Sequence, residues 1–213
     1  LRYHAIAGVI ISIMSTEKYK HPPGGYPEDY YYIAGDNGVT GSFAVVDPVG
    51  RLVLYQPTPV EKRQSYTKKK DMFNRVRGDI LHAMLEPFAG KSTVILERPV
   101  TGMSFNTIRS AFRCDEATVI VLEILGMRYE YVDSRQWQKE MLPYLQAPKT
   151  SPKGSTAEVK AANKVFNDSL KKQTKIQSLE AGRKLFPAQE FGRAKTADAD
   201  AALMAEWARR NKK

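Results

Sequence analysis

Tyr30-Tyr31-Tyr32-Ile33-Ala34-Gly35-Asp36-Asn37-Gly38-Val39-Thr40-Gly41-Ser42-Phe43-Ala44-Val45-Val46 is the stretch on which the fold turns. A run of strand formers ends in an acid, Gly38 and Gly41 reverse the chain, and a second apolar run follows. An ionised carboxylate on so apolar an element is costly unless it is paired, protonated or bound to a cation. Glu97 closes Thr93-Val94-Ile95-Leu96 in the same way, and Asp198 and Asp200 open the helical stretch 201–210. Three separated segments, each offering an acid at the end of an element, can assemble a divalent-metal site. A buried salt bridge is the competing explanation for Asp36 alone, and a poor one for all three acids.

Composition narrows the partners. The 213 residues suit one domain with appendages, and a hydrophobic content of 42% is enough for a real core. The net charge of +10 is unevenly spread, with 13 Lys/Arg against 5 Asp/Glu between Arg135 and Lys195. Such a field favours polyanions through steering and counterion release. The single Cys114 excludes an intrachain disulfide and a cysteine zinc site. It fits a reducing compartment: the cytoplasm of a bacterial or phage-infected cell, or an organelle. The apolar part of the first 14 residues, about ten long, is too short to span a bilayer. It lacks a clear cleavage site, and no lipid-anchoring motif is visible, so no membrane partner is expected. Residues 1–28 read as a leader, partly upstream of a start at Met14, and 29–213 as the folded domain.

Period and punctuation divide the rest. Residues 30–35, 42–46 and 51–55 are predicted to form a three-stranded antiparallel meander, its second turn being Asp47-Pro48-Val49-Gly50. Residues 56–70 read as a polar loop ending in Lys68, Lys69 and Lys70. Met72, Val76, Ile80 and Met84 recur at every fourth position, which predicts an amphipathic helix over 71–86 capped by Asp71. A fourth strand at 93–96 precedes a long helix over 106–125, carrying Ile108, Phe112, Val119 and Leu122 and stopped by Gly126. A fifth strand at 128–132 leads to a short helix capped by Ser134 and ended by Pro143. Residues 146–155 are rich in Pro, Ser and Lys and read as a flexible insertion. Helices at 157–172, 176–185 and 200–210 follow. The fold class is α/β: a mixed five-stranded sheet, an antiparallel meander plus parallel strands, flanked by helices.

Five motifs stand in order along the chain. They are Gly35-Asp36-Asn37-Gly38-Val39-Thr40-Gly41, then Val94-Ile95-Leu96-Glu97-Arg98-Pro99, then Leu125-Gly126-Met127-Arg128-Tyr129 with Trp137-Gln138-Lys139. Thr174-Lys175-Ile176-Gln177-Ser178 with Leu185-Phe186-Pro187 follows, and Asp200 to Arg210 closes the series. From Tyr31 to Arg210 this series resembles the RuvC-type Holliday junction resolvases of the ribonuclease-H-like fold, their phage and organelle branch above all. The resemblance implies a metal-dependent endodeoxyribonuclease of DNA recombination and repair. Such an enzyme resolves four-way or otherwise branched DNA by phosphodiester hydrolysis, as a homodimer. It also implies a nuclease domain over 29–213 with a basic helical insertion around 146–190.

Two departures stand out. The family has Pro where Asn37 stands, and a further acid three or four residues before the one matched by Asp200, where this chain has Ala197 and Thr196. Asp198 lies two before, and residues two apart on a helix point about 200° apart. Asp198 is therefore either a ligand at a non-helical cap position or a helix cap alone.

The resemblance assigns catalysis and metal binding to Asp36, Glu97 and Asp200, with Asp198 as the doubtful fourth and Asp36 as the bridging ligand. Two Mg²⁺ ions about 3.5–4 Å apart, for which Mn²⁺ substitutes, place the attacking water and stabilise the leaving oxygen. Lys139 and Lys175 match lysines near the scissile phosphate, plain solvent exposure being the alternative. Phe105 stands where some relatives insert an aromatic wedge into the junction, though ordinary core is the better reading. Arg98, Arg109 and Arg113 are candidate phosphate contacts. Met72, Met84 and Trp207 are expected in the core, and His4, His21 and His82 lack metal spacing. Ala117, Val121 and Ile124 exceed one core-facing stripe and offer a dimer contact, with burial under the insertion helices as the competing explanation. Two other classes stay open. One is a catalytically impaired junction-binding protein of the same fold. The other is an actin-like ATPase or sugar kinase, suggested by the first glycine-rich motif alone.

Overall fold

The computed structural model describes residues 29–36, 38–64, 72–99, 105–142, 149–191 and 199–213, without the side chains of Phe105 and Asn106. The leader expected over 1–28, the cap expected at Asp71, the lysines 68–70 and Asp198 lie outside the described residues. Five strands form the main sheet: β1 (Tyr31–Gly35), β2 (Ser42–Val46), β3 (Leu52–Pro57), β6 (Ser92–Glu97) and β7 (Arg128–Val132), in the order β3-β2-β1-β6-β7. β2 is antiparallel to β1 and β3, while β6 is parallel to β1 and β7. This is the antiparallel meander joined to parallel strands that the ribonuclease-H-like resemblance implies.

The strands at the centre are covered on both sides, which is why β1 and β2 read as unbroken apolar runs. On one face Ile33, Phe43, Val45, Val94 and Leu96 pack with Leu81 and Leu85 of α1 (Gly78–Leu85) and with Leu122 of α2 (Phe105–Ile124). On the other, Tyr32, Ala34, Ala44, Val46 and Ile95 meet Trp137 of α3 (Ser134–Met141) and Leu203 and Met204 of α5 (Asp200–Arg210). Residues 201–208 of α5 are all buried, and four of them are alanines that let the helix lie close on Ala34 and Ala44. Trp207 is buried, as expected.

Four elements differ from the sequence reading. The expected polar loop and the first part of the expected helix form a hairpin, β4 (Val60–Gln64) with β5 (Met72–Val76), and only Gly78–Leu85 is helical. The four-residue spacing misled because only Val76 of β5 is buried there, while Met72 is exposed. Cross-strand pairing sets Glu61 opposite Arg75, and the guanidinium of Arg113 on α2 stacks 5.4 Å from the ring centre of Phe73. On α2 itself, Phe112 is exposed, not core. Asp133, not Ser134, caps α3, in a reciprocal capping box with Gln136. The helices expected at 157–172 and 176–185 are one, α4 (Ala157–Leu185). In its polar middle the Thr174 hydroxyl donates to the Leu170 carbonyl at 2.9 Å, the i−4 bond by which a threonine is accommodated inside a helix.

The segment before α4, expected as a flexible insertion, is tied to it. The Asn167 amide donates to the Lys149 carbonyl at 2.8 Å and accepts from the Lys149 N–H at 2.9 Å, and Asn163 donates to the Thr150 carbonyl at 3.2 Å. α4 buries only Leu170, Ser178 and Gly182 among its 29 residues, so most of its length is a solvated, lysine-studded rod.

Candidate active site at the end of the sheet

Register sets two acids side by side. Gly35 pairs with Leu96 on adjacent parallel strands, and Asp36 and Glu97 are the next residue on each. Asp36 and Glu97 therefore stand side by side where the two parallel strands end. Both are half-buried. The Asp36 backbone stays in the ladder, its N–H donating to the Ser42 carbonyl at 2.9 Å.

The third acid arrives by helix direction. Arg209, in the last turn of α5, donates to the Pro48 carbonyl at 3.3 Å. That turn lies beside the start of β1, because Tyr32 pairs with Val46. α5 therefore runs antiparallel to β1. Eleven helical residues and five extended ones each span about 16 Å, so the head of α5, Asp200, points toward the end of the sheet at which β1 stops. Glu206 holds the Arg209 guanidinium that makes the contact with Pro48. Its buried carboxylate accepts from Arg209 Nε at 2.7 Å and Nη2 at 2.9 Å, and from Arg210 Nε at 2.7 Å.

All-oxygen donors from three segments fit a hard divalent cation in kind. Among the described residues, however, no three acidic, histidine or cysteine side chains close around a common point. Asp200 Oδ1 accepts a short hydrogen bond from Ser178 of α4, a residue to which the sequence reading gave no role. A small polar side chain four residues before Gly182, on the narrow apolar side of a lysine-rich helix, was the available signal.

The cationic candidates spread over three elements. Lys175 is exposed on α4, one turn before Ser178. Lys139 is exposed near the end of α3, beside Glu140, which accepts from Asn211 beyond the opposite end of α5. Arg98 is exposed directly after Glu97, its N–H donating to the Val132 carbonyl at 2.9 Å. Arg109 and Arg113 are exposed on α2 and line a groove of about 690 Å³ against β5, together with Phe73, Arg75, Phe112 and Asp115. Phe105 opens α2, and its side chain lies outside the described residues, as does Asp198.

The chemistry of Cys114, in that groove, is settled by its surroundings. Burial foremost, then the charges of Asp36 and Asp115, push its thiol up to about 12, so it is no nucleophile near neutral pH. Burial foremost, and then its donation to the Asp115 carboxylate at 2.8 and 2.9 Å, raise the Tyr131 phenol well above its usual range.

No protein-family model matches this chain, and no curated protein matches it. Among solved structures it is similar to Thermus thermophilus RuvC in complex with a Holliday junction substrate, at 13% identity and a TM-score of 0.49, over 83% of this chain and 92% of that one. It is also similar to Thermus thermophilus RuvC by itself, at 14% identity and a TM-score of 0.46, over 84% and 96%. These are likenesses of fold. Among the described residues no helix is long and apolar enough to cross a membrane.

Proposed function

We propose that this chain is a divalent-metal-dependent endonuclease of branched DNA, with the four-way junction as its preferred substrate. The reading rests on Asp36 and Glu97 following paired residues at the ends of two parallel strands, with Asp200 opening the helix that packs on the same sheet. Mg²⁺ keeps several waters and takes few carboxylates, so a sparse acid set suits it, with Mn²⁺ as a substitute. Bound there, two such ions would supply an activated water and stabilise the charge developing on the scissile phosphate.

Asp36, Glu97 and Asp200 hold the cations, Asp36 as the bridge, and Asp198 is the fourth acid if it serves as a ligand. Lys175 neutralises a phosphate oxygen beside them. The exposed Lys160, Lys164, Lys171 and Lys172 of α4 track a DNA arm by charge alone, and Arg98, Arg109 and Arg113 extend that path on the other side. Lys139 and Phe105 are carried by the sequence resemblance. A four-way junction has approximate two-fold symmetry and two strands to cut, so the working unit is a homodimer. Of the α2 positions expected to offer that contact, Val121 is buried in the core with Ala117 packed against it, and Ile124 is exposed; with the exposed Phe112 and Ile120 it forms an apolar stripe that a second copy would cover.

Incubation with Mg²⁺ and a four-way junction, a Y-fork or a linear duplex tests the reading. Nicking of the branched substrates with the duplex spared is the expected result; indiscriminate duplex cleavage refutes the specificity. A second reading, a junction-binding protein of the same fold with impaired catalysis, rests on Thr196 and Ala197 standing where the family has a further acid. It predicts junction binding without nicks in either metal.

A further inference from the structure

We propose, on the reading of Asp200 as a metal ligand, that Ser178 is the positioning residue that sets its carboxylate. Ser178 is completely buried on a helix that buries only two other residues, Leu170 and Gly182. A buried hydroxyl requires partners, and both of those it finds belong to the start of α5. Its O–H donates to Asp200 Oδ1, and its oxygen accepts from the backbone N–H of Ala199 at 3.2 Å. Ala199 is the N-cap of α5 and has no side chain to cap with, so another helix supplies the fixing group.

Gly182, one turn further along α4, makes the approach possible. A methyl there would overlap the Ala199 side chain and come within 3.2 Å of the Phe191 ring. The two residues thus form a notch into which the head of α5 seats, with the hydroxyl at one end. Fixing one carboxylate oxygen and the adjacent N–H fixes the plane of the carboxylate, and with it the direction in which its lone pairs meet an ion. Groups that orient a ligand in this way govern affinity without touching the metal. Lys175 lies on the same helix, so one rigid element delivers the phosphate-facing cation and orients the acid.

The test is Mn²⁺ titration of the full chain without DNA, by calorimetry, alongside junction cleavage and junction binding. Ser178→Ala is expected to weaken Mn²⁺ binding by about 10–100-fold. It should slow cleavage correspondingly and leave metal-free junction affinity unchanged. Ser178→Thr, which retains the hydroxyl, restores Mn²⁺ affinity. In an Asp200→Asn background, Ser178→Ala has no further effect on Mn²⁺ affinity, because its action runs through the missing carboxylate.

Undiminished Mn²⁺ affinity in Ser178→Ala overturns the proposal, as does an equal loss in the Asp200→Asn background. If the unaltered chain binds no Mn²⁺, the reading of Asp200 as a ligand falls and this proposal with it. Should Ser178→Ala not fold, Ser178→Cys, with its weaker donor, carries the same comparison.

Discussion

Replacing Gly41 by alanine drives a methyl group into Asp36. The added carbon would overlap the Asp36 carbonyl oxygen and lie 2.9 Å from its carbonyl carbon and 3.1 Å from its side-chain Cγ. Backbone cannot rotate out of the way as a flexible side chain can, so the loop must move. It is held by hydrogen bonds from Gly38 N–H to the Asp36 carbonyl at 2.9 Å, from Gly41 N–H to the Gly38 carbonyl at 3.0 Å, and from Thr58 N–H to the Gly41 carbonyl at 2.9 Å. Losing one or two of these, at about 1 kcal/mol each, adds to an overpacking strain of about 1–3 kcal/mol. The expected destabilisation is about 2–5 kcal/mol. The Asp36 carboxylate moves with its backbone, and a displacement of about 1 Å at a catalytic centre costs on the order of 100-fold in rate. Gly38→Ala is the control in the same loop: its methyl would meet nothing nearer than 3.9 Å, so stability changes by no more than about 1 kcal/mol. Urea unfolding followed by tryptophan fluorescence, with single-turnover junction cleavage in Mg²⁺, reads both effects. A Gly41→Ala protein as stable and active as the parent, or a Gly38→Ala protein equally damaged, refutes the reasoning.

Asp36→Asn is expected to abolish junction cleavage and leave junction binding intact, measured by gel shift beside the nicking assay; residual activity of a few per cent in Mg²⁺ removes Asp36 as a central ligand. Asp198→Asn separates cap from ligand, since asparagine caps as well as aspartate: near-normal cleavage makes it a cap, and a drop of orders of magnitude makes it a ligand. Burial pushes the Glu206 carboxyl up, but hydrogen bonds from Arg209 and Arg210 outweigh it and hold the group below the usual glutamate range. Its folded pKa is thus depressed, so its stabilisation is complete above the ordinary glutamate value of about 4.3 and is lost as pH falls through the lower folded value. Glu206→Gln should lower the urea midpoint at pH 7 and flatten the acid-side decline; a parallel decline in both proteins contradicts the assignment. Ile124→Glu should leave the urea midpoint unchanged and convert a species near twice the 24.0 kDa chain mass into one of single mass by light scattering; a parent chain already monomeric on a four-way junction excludes the dimer.

The sheet was legible because its signals are local. Apolar runs of five residues, glycine turns and the Asp47-Pro48 turn each specify their own segment. The structure retains all five expected strands, with shifts of a residue or two at the ends. Local signals failed where two periods coincide. Met72, Val76, Ile80 and Met84 satisfy a helix on paper, but the first two belong to a hairpin whose partner strand, Val60–Gln64, carries mostly charge and no apolar run. Only cross-strand pairing, Val60 with Val76 and Glu61 with Arg75, makes that strand intelligible. The helices expected at 157–172 and 176–185 likewise run on as one, since no Gly or Pro stands between them.

The candidate site divides along the same line. Asp36 and Glu97 announce themselves as acids ending apolar strands, and their adjacency needs only the parallel register of β1 with β6. The place of Asp200 depends on more: the direction of α5, set by the contact of Arg209 with the β2–β3 turn, and the match in length between helix and strand. Its orientation depends on Ser178, twenty-two positions away on another helix. No periodicity encodes that pairing. A serine and a glycine four apart on a lysine-rich helix look like weak helix formers until α5 is laid in the notch between them. Chemistry at strand ends can thus be read from one segment at a time. The aiming of a carboxylate cannot, because it is a property of two helices whose contact residues are individually unremarkable: a hydroxyl, an alanine N–H and a missing methyl.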